Sequence, residues 1–204
     1  MKQQSVIDQL SQEVKLLQGE ATKDVTYSSQ QTFPDEVTTS AAFNRSIEKL
    51  WNVAAWSNLS PFTATFKLFD SAGQPKVGCV PQQDDYIQVI IPGPAPENWV
   101  QVTHTYSGEK WAEFTVRPSH DPHKPPSAQI DHFFHAEARS TFRVERTGTT
   151  ITAYEIGRYE GINRDSPQAG HRGLVNTVMA EVGWLFYQKL QWKHLTDYLV
   201  HVES

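Results

Sequence analysis

The chain has almost no sulfur chemistry to offer and no long apolar run. Its single cysteine, Cys79, cannot close an internal disulfide. It follows Gly78 with no His or Asn in a nucleophile arrangement nearby, so it reads as a structural thiol. No stretch approaches the roughly 20 apolar residues that a membrane helix requires, so any lipid contact would be peripheral or inside a cavity. The opening MKQQSVIDQLSQEVKLLQGE lacks a signal-peptide core, which together with the lone cysteine makes a reducing cytoplasm the expected compartment. Basic residues are sparse as well: 18 Lys and Arg stand against 23 Asp and Glu, for a net charge of -5. Without a concentrated Lys/Arg field there is nothing to hold a phosphate backbone, and nucleic acid is set aside. A P-loop, a dinucleotide-type glycine pattern and a nucleophile elbow are all missing, which removes the commonest nucleotide and hydrolase signatures.

What is there is a globular composition. The 204 residues are 38% hydrophobic, enough for one domain with a terminal extension whose core needs neither metal nor disulfide. Val6, Ile7, Leu10, Val14 and Leu17 recur at helical spacing and predict an amphipathic helix ending at Gly19, so residues 1–22 read as an extension and 23–204 as the main domain. Over 36–43 the period changes to two, with Val37, Thr39, Ala41 and Phe43 on one side, predicting the domain's first strand. Asn44 is then the expected cap of a helix carried by Ile47, Leu50, Trp51 and Ala54, which Asn58 and Pro61 end.

The middle of the chain alternates repeatedly. Phe62, Ala64, Phe66 and Leu68 share one face; after the turn DSAGQPKVG, so do Ile87, Val89 and Ile91, until Pro92, Gly93, Pro94 and Pro96 stop the ladder. Val100, Val102, His104 and Tyr106 face one way, as do Ala112, Phe114 and Val116, and the Ser-Gly between the two runs predicts a hairpin. Beyond a loop rich in Pro and His, residues 132–146 put His132, Phe134, Ala136, Ala138, Ser140, Phe142 and Val144 on one face. A last strand carries Tyr154, Ile156 and Arg158 on one side and Ala153, Glu155 and Tyr159 on the other, and periodicity alone leaves open which side is inside. From about 171 to 202 the chain has no proline and reads as one long helix.

The order of strand, two helices, about six further antiparallel strands and a long final helix resembles the SRPBCC superfamily. These are helix-grip proteins that include START lipid-transfer domains, pollen-allergen-like carriers and polyketide cyclases. The resemblance spans about residues 35–202 and is carried by EVTTSAAFNRSIEKLW, CVPQQDDYIQV, AEFTVRPS, STFRVERTGTTITAYEIGRY and NTVMAEVGWLFYQKL. It implies an α+β fold in which a curved antiparallel sheet of about seven strands wraps the C-terminal helix and leaves an apolar cavity. The chain departs from that plan in its N-terminal helix, its Pro/His loop and the length of its last helix. That helix carries one apolar stripe, Leu174, Val175, Val178, Val182, Leu185 and Phe186, suited to the sheet. A second stripe holds Trp184, Tyr187, Gln191, Leu195 and Tyr198, with Trp192 nearby, and needs a cover: the N-terminal helix or a second copy of the chain in a homodimer.

Such a cavity makes a small hydrophobic or amphipathic molecule, a lipid or a polyketide-like aromatic, the expected partner. The ligand-binding set is Phe66, Val102, His104, Tyr106, Phe114, His132, Phe134, Phe142, Tyr154, Val178 and Val182. The polar members either orient the ligand or satisfy one another in a filled core. The alternatives are a cofactor-independent cyclase, dehydratase or isomerase using His104, His132 or Glu155 as acid and base, and an interaction module working through the aromatic helix. No cofactor is called for. His120, Asp121, His123, Asp131, His132 and His135 invite a metal, yet His132 and His135 would point to opposite faces of a strand and the neighbouring prolines make ordinary loop chemistry, so no metal is expected.

Overall fold

A computed structural model describes residues 23–60, 64–78, 80–91, 98–125, 134–160 and 184–202, giving only the backbone course over 184–189. The expected N-terminal helix, Cys79, His132, Val178 and Val182 lie outside the described residues. The strands are β1 (Lys23–Thr32), β2 (Thr65–Phe69), β3 (Pro75–Lys76), β4 (Tyr86–Ile90), β5 (Asn98–Ser107), β6 (Trp111–Ser119), β7 (Arg139–Thr147) and β8 (Thr150–Glu160). Two helices, α1 (Glu36–Trp51) and α2 (Trp184–Leu199), and a 3-10 turn over Val53–Asn58 complete the described elements. All eight strands join one sheet in the order β1-β8-β7-β6-β5-β4-β2-β3, every pair antiparallel. This is the helix-grip fold. No helix among the described residues is long and apolar enough to cross a membrane.

The first strand is not where alternation put it. Residues 36–43 open α1, because Asp35 caps it: the Asp35 Oδ1 accepts the Thr38 backbone N–H at 2.7 Å, and Asp35, not Asn44, starts the helix. The buried residues of α1 are Thr39, Ala42, Phe43, Ser46 and Leu50, a spacing of three and four, while Val37 is 82% exposed. The edge strand is β1, whose inner face of Val25, Tyr27, Ser29 and Gln31 is too polar to read as apolar alternation. That polarity matches its partner. Ser29 Oγ donates to Asp197 Oδ1 at 2.6 Å and bonds Thr196 Oγ1 at 2.8 Å, fastening β1 to α2.

The end of α2 is tied to α1 as well. Lys49 Nζ donates to the Tyr198 carbonyl at 2.7 Å and to His201 Nδ1 at 2.9 Å, which leaves His201 Nε2–H to donate to the Ala42 carbonyl at 2.9 Å. The stripe of α2 that was expected to need a cover is partly core: Leu195 is 2% and Gln191 7% exposed, and Tyr198 packs beneath the Lys49 ammonium. The side chains of Trp184 and Tyr187 lie outside the described residues.

At the centre of the concave face stands Trp56, delivered by the 3-10 turn and 1% exposed. Its ring stacks on Phe114 with centroids 5.8 Å apart, tilts against Phe142 at 5.1 Å and meets Phe66 edge-on at 5.6 Å. Its Nε1–H donates to the Lys49 carbonyl at 3.0 Å, so burial leaves no donor unpaired. Replacing Trp56 by Ala removes contacts to three strands at once and is expected to cost about 3–5 kcal/mol of stability, read as a shift of the urea midpoint.

Candidate functional site

Beside Trp56 the side chains stop short of filling the concave face. A cavity of about 80 Å³ lies between the sheet and α2. A single water needs about 10–15 Å³ on the same scale, so the space takes several water-sized groups, such as one ring or a short chain. Trp56 and Phe66 bound one side; Ile87, Val89 and Ile91 come from β4 and its end, Asn98 and Val100 from β5, and Val116, Arg117 and Pro118 from β6. Phe134, Ala138, Arg139, Ser140 and Phe142 follow from the β7 side, and α2 closes the space with Gln191 and Trp192. Gln191 Oε1 is occupied by the Ala64 backbone N–H at 3.2 Å, whereas the buried Trp192 Nε1–H has no hydrogen-bond partner among the described residues.

Of the residues expected to line the cavity, Phe66, Phe134 and Phe142 do so. Val102 and Phe114 are fully buried but belong to the packed core behind Trp56. His104 and Tyr106 face away. Strand β5 carries a bulge at Thr103: Val102 pairs with Val116 and the next pair is His104 with Thr115, so one residue is skipped and every later side chain changes face. The imidazole of His104 is 56% exposed, 3.7 Å from Glu113, which also holds Arg143 at 2.5 Å, and Tyr106 stacks on Trp111 at 4.7 Å. Tyr154 is displaced for a simpler reason, since the inner face of β8 is the other one, with Ile151, Ala153, Glu155 and Gly157 buried. The alternation of Ile87, Val89, Ile91 and Val100 contained the signal for the opposite wall. Trp56 had none, because a 3-10 turn shows no period of its own.

The loop histidine is engaged in structure. His123 Nδ1 bonds Asp121 Oδ1 at 2.8 Å and Nε2 bonds the Gly73 carbonyl at 2.9 Å, which ties the loop to the β2–β3 turn and raises the imidazole pKa, chiefly through Asp121. Among the described residues no three His, Cys, Asp or Glu side chains are grouped to hold a metal ion.

Glu155 is the chemical oddity. It is completely buried, and neither carboxyl oxygen has a hydrogen-bond partner among the described residues. Its register neighbours are Phe142 on β7 and Tyr27 on β1. A second acid turns toward it: Tyr159 has φ 53°, the β1–β8 register slips there, and the Glu160 side chain folds back over Gly157, where a Cβ would collide with it. Burial, then the Glu160 charge, push the Glu155 pKa far up, with the Ser140 hydroxyl offsetting part of this while falling short of hydrogen-bond geometry. Burial likewise raises Glu160 to about 7, against the pull of Lys23. Glu155 is on the inner face but not in the cavity wall; its neighbours Ser140 and Phe142 are.

Raised carboxyl pKa values mean that the fold prefers the protonated acids. The fold loses nothing to them below the ordinary value of 4.5 and loses stability as pH climbs through the window toward 7 and beyond. Glu155→Gln is therefore expected to raise Tm by several degrees more at pH 8 than at pH 4; a gain independent of pH would contradict a buried, proton-holding Glu155.

Comparison with family models and with curated proteins found no match. Solved structures do match. A hypothetical protein of Helicobacter pylori aligns with TM-score 0.55 at 10% identity, over 91% of this chain and 92% of that one. An aromatase/cyclase, Zhui, from Streptomyces sp. R1128 aligns with TM-score 0.49 at 8% identity over 88% and 92% of the two chains. Norcoclaurine synthase from Thalictrum flavum, solved with dopamine and hydroxybenzaldehyde, gives 0.43 at 8% identity over 100% and 96%. At these identities the likeness is one of fold alone.

Proposed function

We propose that this helix-grip protein binds a small hydrophobic or amphipathic molecule in the space between its sheet and α2. The observation that carries the reading is the unfilled cavity itself. Protein interiors pack to the density of organic crystals, and a void forfeits the contacts of every side chain around it. Here the wall is Phe66, Ile87, Val100, Val116 and Phe142, residues free to adopt larger neighbours, yet the space stays open beside a tightly stacked Trp56. A ligand supplies the missing contacts, and an acceptor atom on it would satisfy the Trp192 N–H.

A second reading, proton transfer to the bound molecule, has one observation behind it. Burial holds the Glu155 pKa well above the usual carboxylate range, and the residue sits one strand behind a wall that includes Ser140. The exposed His104 offers nothing to either reading.

Binding is tested with 1-hexanol, a probe whose chain suits the volume, by saturation-transfer NMR. Val89, half-buried on the wall, is the place to fill the space: Val89→Trp should abolish the hexanol signal while the protein still unfolds cooperatively. Unchanged hexanol binding in that variant would remove the cavity as the site.

A further inference from the structure

The β6–β7 ladder ends early. Its last pair is Val116 with Ser140, although β6 runs on to Ser119 and stays paired with β5 as far as Trp99. Past that point the two strands part, and the cavity wall includes both lips of the split: Val116, Arg117 and Pro118 on one, Ala138, Arg139 and Ser140 on the other. One residue beyond the last pair come Arg117 on β6 and Arg139 on β7, both lining the cavity, and Arg139 pairs with Arg158 on β8. Two arginines, one on each lip, thus flank the split, and a third stands beside Arg139 on β8, a local excess of positive charge that favours an anion nearby.

The compensation present is at one end only. Arg158 has Asp24 at 3.7 Å. Arg117 leans aside to donate to Gln101 Oε1 at 3.0 Å, and Arg139 folds back to donate to the Ala136 and Ala138 carbonyls at 2.7 Å each. Neither has a carboxylate partner among the described residues, and each keeps further N–H groups uncommitted. A guanidinium presents paired donors that fit the two oxygens of a carboxylate.

Resting on the binding reading above, we propose that the ligand is an amphipathic carboxylate: its apolar part fills the cavity, and its anionic head sits in the split between β6 and β7 against Arg117 and Arg139. The head supplies the carboxylate that Arg117 and Arg139 lack, and the tail is limited to one ring or a few carbons by the volume. Specificity for the anion comes from the lips, whereas affinity for the tail comes from the wall.

The test compares hexanoate with 1-hexanol on the whole protein, by calorimetric or NMR titration at low and high salt. Hexanoate should bind at least tenfold more tightly, with the preference shrinking as salt screens the exposed arginines. Arg117→Gln and Arg139→Gln should each weaken hexanoate by a much larger factor than hexanol, bringing the two probes together. Arg117 is exposed, so its variant keeps the test valid if the Arg139 change disturbs the 134–138 turn. Equal binding of the two probes, or a preference that survives both changes, overturns the carboxylate head and leaves the cavity reading standing. Binding of neither probe overturns both.

Discussion

Everything on the concave face is arranged around the stacking of Trp56 on Phe114. The sheet curves, and a curved sheet encloses more volume than its own side chains fill; a bulky ring brought in by the 3-10 turn occupies the middle of that volume. Phe142 and Phe66 close on the same ring from two sides, so β2, β6 and β7 are held at the spacing of one indole. With the centre fixed, the remaining space lies to one side, under β4, β5 and the near end of α2. The cavity is thus bounded on one side by a rigid stack.

Polar groups locate the other boundaries. The far end of α2 is fixed by Ser29, Lys49 and His201, bonds that decide where the helix stops pressing on the sheet. Two buried acids on β8, Glu155 and Glu160, have pKa values raised chiefly by burial, which ties the protein's stability to pH. At the opposite lip, arginines stand where strands separate. A chain selected only for stability would remove both features, since each has an obvious neutral substitute. Their presence next to one cavity is what gives the void a chemical character beyond its apolar wall.

The parts of this structure that were legible in the sequence are those where side-chain period and burial agree. Ala112, Phe114 and Val116 alternate and are buried; so do Phe142 and Val144, and the resemblance to helix-grip proteins built on that order holds in the fold. Legibility failed where one residue or one cap changed the meaning of a pattern. A single skipped residue at Thr103 moved His104 and Tyr106 from the inner face to the outer. The Asp35 cap turned an apparently alternating 36–43 into helix. Strand β1 was hidden because its inner face is chosen to bond α2, not to be apolar. The arginines at the split were invisible for another reason: Arg117 and Arg139 are far apart in the chain, and only the pairing of β6 with β7 brings them to the two lips.

The central claim is that a largely apolar space remains open beside Trp56. Xenon enters such spaces without needing any polar group, so diffraction from a crystal held under xenon pressure tests it most directly. A xenon atom bounded by Phe66, Ile87, Val100, Val116 and Phe142 is the result expected. Closed side chains with no xenon at that position would contradict it.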